Sequence, residues 1–109
     1  MDKYENRAME LESGIAAFET KNFAHAIKLL SPIAAEGNVE AMYRMAIMLQ
    51  NGLGCQTSTE KAFSYMKDAA HKGYPLAQHA YGFMFFKANA LKKILIKVLS
   101  GLQRLQIRG

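Results

Sequence analysis

The sequence predicts an all-α fold, a stack of antiparallel helix pairs with about five helices of which the last is long, on three observations. Ala, Leu, Met, Lys and Glu are abundant, prolines number two, and alternating Val/Ile/Thr runs are few; those side chains favour helix because they lose little rotamer freedom in one. Apolar residues recur every three or four positions, the spacing of a single helix face. The chain also repeats itself at an interval of 36 residues, the signature of stacked units that bury one another's apolar sides. At 109 residues, half of them apolar, it is long enough for one compact domain and too short for two ordinary ones.

Gly37 and Gly73 set the interval. They align Ala34-Ala35-Glu36-Gly37-Asn38-Val39-Glu40-Ala41 with Ala69-Ala70-His71-Lys72-Gly73-Tyr74-Pro75-Leu76-Ala77. At that offset Ala26 meets Ala62, Leu29 meets Tyr65, Leu30 meets Met66, Ala41 meets Ala77, Ile47 meets Phe83 and Met48 meets Met84. Small residues match small and large apolar match large, as needed where helix axes approach closely.

The first helix is predicted over residues 6–20, followed by a Lys21-Asn22 turn. The second, over 23–36, is buried through Phe23, Ala26, Ile27, Leu30 and Ile33; it contains Pro32, which should kink it because proline lacks the amide donor. The third, over 39–51, carries Ala41, Met45, Met48 and Leu49 on its apolar stripe and stops at Asn51-Gly52, where glycine accepts the left-handed conformation. The loop Leu53-Gly54-Cys55-Gln56-Thr57 leads to Ser58 or Thr59 as N-cap of a fourth helix over 60–72, buried through Ala62, Phe63, Met66, Ala69 and Ala70 and ended by Gly73. A fifth begins near Pro75 and runs through Phe86 to at least Leu99.

Three segments together resemble the Sel-one-like repeat, a tetratricopeptide-like unit. They are Ala34-Ala35-Glu36-Gly37-Asn38-Val39-Glu40-Ala41-Met42-Tyr43, the loop glycines of Asn51-Gly52-Leu53-Gly54, and Glu60-Lys61-Ala62 through Met66 to Ala69-Ala70-His71-Lys72-Gly73. In that family units end in an AA-x-x-G pattern and two nearby glycines occupy the loop between helices. The resemblance covers roughly residues 14–86 and implies a right-handed α/α superhelix acting as an adaptor or scaffold in protein complexes, with no catalytic chemistry of its own.

From Lys87 the pattern stops, and two domains are read: the repeat domain over 1–86 (two helix pairs and the first helix of a third) and an aberrant basic amphipathic helix over 87–109. A displaced reading frame accounts for the second. Taking the last base of each codon with the first two of the next, permitted synonymous codons turn residues 88–109 into GECVEENPDKGVEWLAKAANQG. Its glycines at positions 88 and 109 and lysine at 97 then fall 36 residues after Gly52, Gly73 and Lys61. As it stands, the tail places Leu91, Ile94, Leu95, Val98, Leu99, Leu102 and Leu105 on one helical stripe, with Lys92, Lys93, Lys97 and Arg104 elsewhere on the wheel. Such a stripe should fold back on the repeats or pair with another copy, giving a homodimer through Leu91, Leu95, Val98 and Leu102.

The formal charge of +5 does not belong to the repeats. Up to Phe86 eight basic residues face nine acidic ones, whereas Lys87 to Gly109 holds six basic residues and no acid. A basic protein is drawn to phosphates, so membrane or nucleic-acid association through the tail is the alternative function, placed second to protein binding. The single cysteine, Cys55, forms no intrachain disulfide and reads as a small buried residue. The amino terminus lacks a signal peptide's apolar core, and no stretch reaches the ~20 apolar residues that span a bilayer. The expected location is the cytoplasm.

Catalysis has little to stand on. His25, His71 and His79 are isolated and lack metal-ligand spacing, Gly52-Leu53-Gly54 neither follows a strand nor precedes Gly-Lys-Ser/Thr, and acids are scattered singly. No enzyme activity, cofactor, metal or small-molecule substrate is expected. The partner is expected to be a protein or peptide lying along the concave face, where first helices of stacked pairs present residues not used for stacking. On the third helix these are Tyr43, Arg44 and Ile47, and at offset 36 His79 and Phe83 on the fifth; aromatics and Arg are the types that dominate interfaces. The competing role for Tyr43 and Phe83 is completion of the core.

Overall fold

The computed structural model describes the backbone of residues 3–108 and the side chains of residues 6–101. Among the described residues there are five helices and no strand: α1 (Lys3–Glu19), α2 (Phe23–Ala35), α3 (Val39–Asn51), α4 (Thr59–His71) and α5 (Pro75–Arg108). Consecutive helices pack side by side, joined by short turns that reverse the chain. The 36-residue interval is therefore structural: Phe23 and Thr59 open α2 and α4, Val39 and Pro75 open α3 and α5.

The two interval glycines occupy the same turn. Gly37 has φ 100° and Gly73 φ 93°. The Gly37 amide donates to the Ala34 carbonyl at 3.0 Å and that of Asn38 to Ile33 at 3.3 Å; Gly73 donates to Ala70 at 3.0 Å and Tyr74 to Ala69 at 3.1 Å. This paired closure satisfies carbonyls that a helix end leaves without partners, and its left-handed residue strains any side chain but glycine's hydrogen. Each following helix then restarts on a local signal. Asn38 caps α3, its Oδ1 accepting from the Ala41 amide at 2.9 Å, a cap not picked out from the sequence. Of the two candidates for α4 it is Ser58, whose Oγ accepts from the Lys61 amide at 3.3 Å. The α1–α2 turn has no glycine and instead holds Lys21 at φ 66°.

Ala26, Leu30 and Ile33 of α2, Ala41, Met45, Met48 and Leu49 of α3, and Ala62, Met66, Ala69 and Ala70 of α4 are buried as expected. Phe23 and Ile27 are half-buried, packed on the rim of the core, and Phe63 is half-buried against the Tyr81 ring at 5.2 Å between centroids. Cys55 is likewise half-buried, not buried, because its loop lies along the edge of α3, where the sulfur reaches the Met48 carbonyl at 3.7 Å. Pro32 lies within α2, one turn from its end, and the helix continues to Ala35.

Helix α5 is less covered than α3. In α3, Met42, Ala46 and Leu49 are buried; their counterparts 36 residues on, Gln78, Gly82 and Phe85, are exposed, with Leu49 at 8% and Phe85 at 52%. The difference follows from what comes next in the chain: α3 is covered by α4, whereas α5 has no following helix among the described residues. Helix α5 passes without a break through Lys87 and carries the molecule to 74 Å in its longest dimension. The radius of gyration, 18.7 Å, well exceeds the ~13 Å of a compact domain of this size.

Candidate functional site

Because α3 and α5 begin at equivalent positions, Tyr43, Arg44 and Ile47 on one and His79 and Phe83 on the other lie on equivalent faces of the two helices. Helix α1 touches α3 directly, and no comparable contact joins α2 to α4 or α3 to α5 among the described residues.

The five residues divide by how far the fold has already used them. Tyr43 is half-buried, its ring meeting that of Tyr74 edge-on at 5.6 Å between centroids. Tyr74 sits in the turn before α5, so this contact ties the closing turn of the second helix pair to that pair's first helix. The Arg44 guanidinium carbon lies 5.9 Å over the Phe18 ring of α1, and Nη1 donates to the Glu40 carbonyl at 3.1 Å. Its Nε is buried without a hydrogen-bond partner. Ile47 packs half-buried against the core. His79 is exposed, and Phe83 is 64% exposed. Tyr43, Arg44 and Ile47 are therefore tied into the packed stack, Arg44 across the boundary between the two matched units, while His79 and Phe83 are exposed.

Position-by-position equivalence exposes residues that reading α3 and α5 alone misses. Thirty-six residues before Tyr43, Arg44 and Ile47 stand Arg7, Ala8 and Leu11 of α1. They line an open crevice of about 460 Å³ with Ile33, Glu36, Gly37 and Asn38. Arg7 closes it on one side, its Nη1 2.7 Å from Glu10 Oε2 and its Nη2 2.7 Å from Glu36 Oε1. Phe86, 71% exposed, is the counterpart of exposed Gln50; the interval alone could have marked it as an outward aromatic.

A second opening of about 410 Å³ lies where α5 leaves the start of α4. Phe63, Phe83, Met84, Ala88 and Leu91 make its walls, with Gln50, Thr59 and Lys87 at its edge. It is mostly apolar. His71 Nδ1 donates to the Lys67 carbonyl at 2.8 Å, and its ring faces that of Tyr81. Among the described residues no group of three His, Cys, Asp or Glu side chains converges as metal ligands would, and no polar or charged residue is buried. No described helix is long and apolar enough to cross a membrane.

A family model for the Sel1 repeat matches residues 6–38 and 39–74. No curated protein matches the chain. The two matched segments meet at the start of α3, so each encloses one helix pair and its closing turn. They span well over half the chain and leave out α5. With two consecutive matches and two superimposable glycine exits, the chain belongs to the Sel1 repeat family.

Proposed function

We infer that the protein is an adaptor that holds a protein or peptide segment along the face built by α1, α3 and α5. Sel1 repeats in general are protein–protein interaction modules; the finer reading assigns contacts to Tyr43, Arg44, Ile47, His79 and Phe83. The observation that carries it is Phe83, a large aromatic 64% exposed beside exposed His79, at the position where α3 has half-buried Ile47. Burying such a ring in a partner gains the free energy its own fold leaves unused. Half-buried Tyr43 and Arg44 then supply a preordered floor, which lowers the entropy lost on binding. No reaction is assigned to this face. The test is affinity capture from the source cell's lysate by the intact protein and by Phe83→Ala. A protein retained by the first and lost by the second, at equal thermal stability of the baits, supports the reading; identical captures refute it.

The second reading, association with an anionic membrane or nucleic acid through α5, is supported by the six cations and no acid from Lys87 onward. Anionic vesicles and an oligonucleotide separate it: binding that falls when Lys92, Lys93 and Lys97 become Gln belongs to the tail. A further partner is a second copy of the chain, met through Leu91, Leu95, Val98 and Leu102.

A further inference from the structure

The face of α5 that packs on α4 does not end where α4 ends. Ala77 is fully buried, Tyr81 and Met84 pack against the core, and the same ridge runs on through Ala88, Leu91, Leu95 and Val98 with alternating steps of four and three residues. That alternation keeps a ridge straight along one side of a helix and is the spacing of a two-helix seam. Helix α4 begins at Thr59, beside Ala88 and Leu91 in the apolar opening. Beyond that point Leu91, Leu95 and Val98 are each more than half exposed, as are Ile94 and Leu99 on either side.

We propose that this overhang is an antiparallel dimer interface, in which the α5 of a second copy lies in the lane that α4 vacates. Three features select a second copy as occupant. The seam is the continuation of a helix–helix contact already made within the chain, and its α4 half shows the orientation the ridge accepts, antiparallel. A twofold axis between Leu95 and Val98 sets Leu95 opposite the partner's Val98 and Leu91 opposite the partner's Leu102, so one ridge satisfies both copies. The side chain of Leu102 lies outside the described residues and enters by register alone. Lys93 and Lys97 project from the side of the helix away from the seam, so the tail's cations do not meet across it; Lys87 and Lys92 flank its edges. The area also suits a dimer. Five aliphatic side chains more than half exposed make a patch of several hundred Å², more than monomers usually leave bare, and two such patches bury on the order of 1,000 Å², the lower bound for a stable interface.

The experiment measures mass and orientation on the full chain. Sedimentation equilibrium should show a reversible dimer, with Leu95→Glu weakening it by roughly tenfold or more while leaving helicity and the melting temperature of the repeats unchanged. For orientation, a spin label is placed at Lys97→Cys or Lys87→Cys in a Cys55→Ser background. The antiparallel arrangement sets the two labels level with each other along the seam at 97 and roughly 30 Å apart along it at 87, so the interlabel distance at 87 is the longer. A monomer at every concentration, a dimer indifferent to Leu95→Glu, or equal distances at the two positions overturns the proposal. So does a chain that stays monomeric in solution and uses Leu95 only on lipid vesicles.

Discussion

Lys72 donates from Nζ to the carbonyl oxygen of Gly37 at 3.0 Å, so the residue before one interval glycine is bonded to the other. Its counterpart 36 residues earlier, Glu36, holds Arg7 Nη2 at 2.7 Å. In both units the side chain ahead of the exit glycine reaches back toward the N-terminal end of that unit's first helix. The chemistry differs, an ammonium on a carbonyl in one and an ion pair in the other, and so does the landing point, in the turn before α3 in one and a turn inside α1 in the other. The Lys72 contact is exposed and the Arg7–Glu36 pair partly so, so each is expected to contribute under about 1 kcal/mol.

Gly37→Ala and Gly73→Ala impose nearly the same backbone strain, at φ 100° and 93°, but meet different surroundings. A Cβ at Gly37 stands 2.6 Å from Lys72 Nζ, and one at Gly73 has nothing within 4 Å. Each is expected to cost about 1–3 kcal/mol, with Gly37→Ala the costlier by the lost Lys72 contact. In a Lys72→Met background that excess should vanish. Urea unfolding of the four variants checks it; an excess that survives without Lys72 would mean the ammonium is not its source.

The paired loop glycines do separate jobs. Gly52, at φ 68°, is the left-handed exit of α3, and a Cβ there meets the Thr57 hydroxyl at 2.6 Å, a group that can rotate away. Gly54, at φ 72°, lies against the start of α2: a Cβ would stand 2.8 Å from Phe23 Cβ, 2.9 Å from its carbonyl carbon and 3.0 Å from the Ala24 nitrogen. Backbone cannot step aside as a hydroxyl can. Gly54→Ala is therefore expected to destabilise by more than about 2 kcal/mol and by more than Gly52→Ala, read from chemical denaturation midpoints.

These glycines also explain what was legible in advance. Exits and caps are decided within a few residues, so α3 was placed at 39–51 as found, and α2 and α4 to within one residue. Side-chain burial is decided by neighbours distant in the chain. Ile47 and Phe83 are of one class, on one face, at one repeat position, yet the first is half-buried and the second 64% exposed. The stacking of Arg44 on Phe18 depends on how units seat against each other, and that of Tyr43 on Tyr74 on how a closing turn folds back onto its unit's first helix. Periodicity names the face and leaves those contacts open.

Tyr43 and Phe83, paired as interface candidates, should behave differently when truncated. Tyr43→Ala removes an edge-on contact to Tyr74 and half-buried ring area, an expected loss of about 1–3 kcal/mol. Phe83→Ala removes a ring that is mostly in water and should cost under about 1 kcal/mol. Thermal melts compared with partner capture then assign the roles: a large stability loss at Phe83 would place it in the core and withdraw it from the binding face.

The reading of residues 88–109 as a displaced frame makes a demand on both the gene and the fold. The coding sequence, shifted by one base near the codons of Phe86 and Lys87, should encode GECVEENPDKGVEWLAKAANQG. A chain carrying that string has a second helix for its third unit, placed as α4 is against α3. Gln78, Gly82 and Phe85 would then be covered as Met42, Ala46 and Leu49 are, and the Leu91–Leu95–Val98 ridge would no longer exist. Burying one more helix face against α5 should raise stability by several kcal/mol, because each large apolar side chain fully buried contributes about 1.5–3 kcal/mol, and should abolish self-association. Unfolding and sedimentation of the two chains side by side decide the matter. If the codons do not yield the string, the tail is simply this protein's own α5; if they do and the restored chain is no more stable, the bare face of α5 was never waiting for that helix.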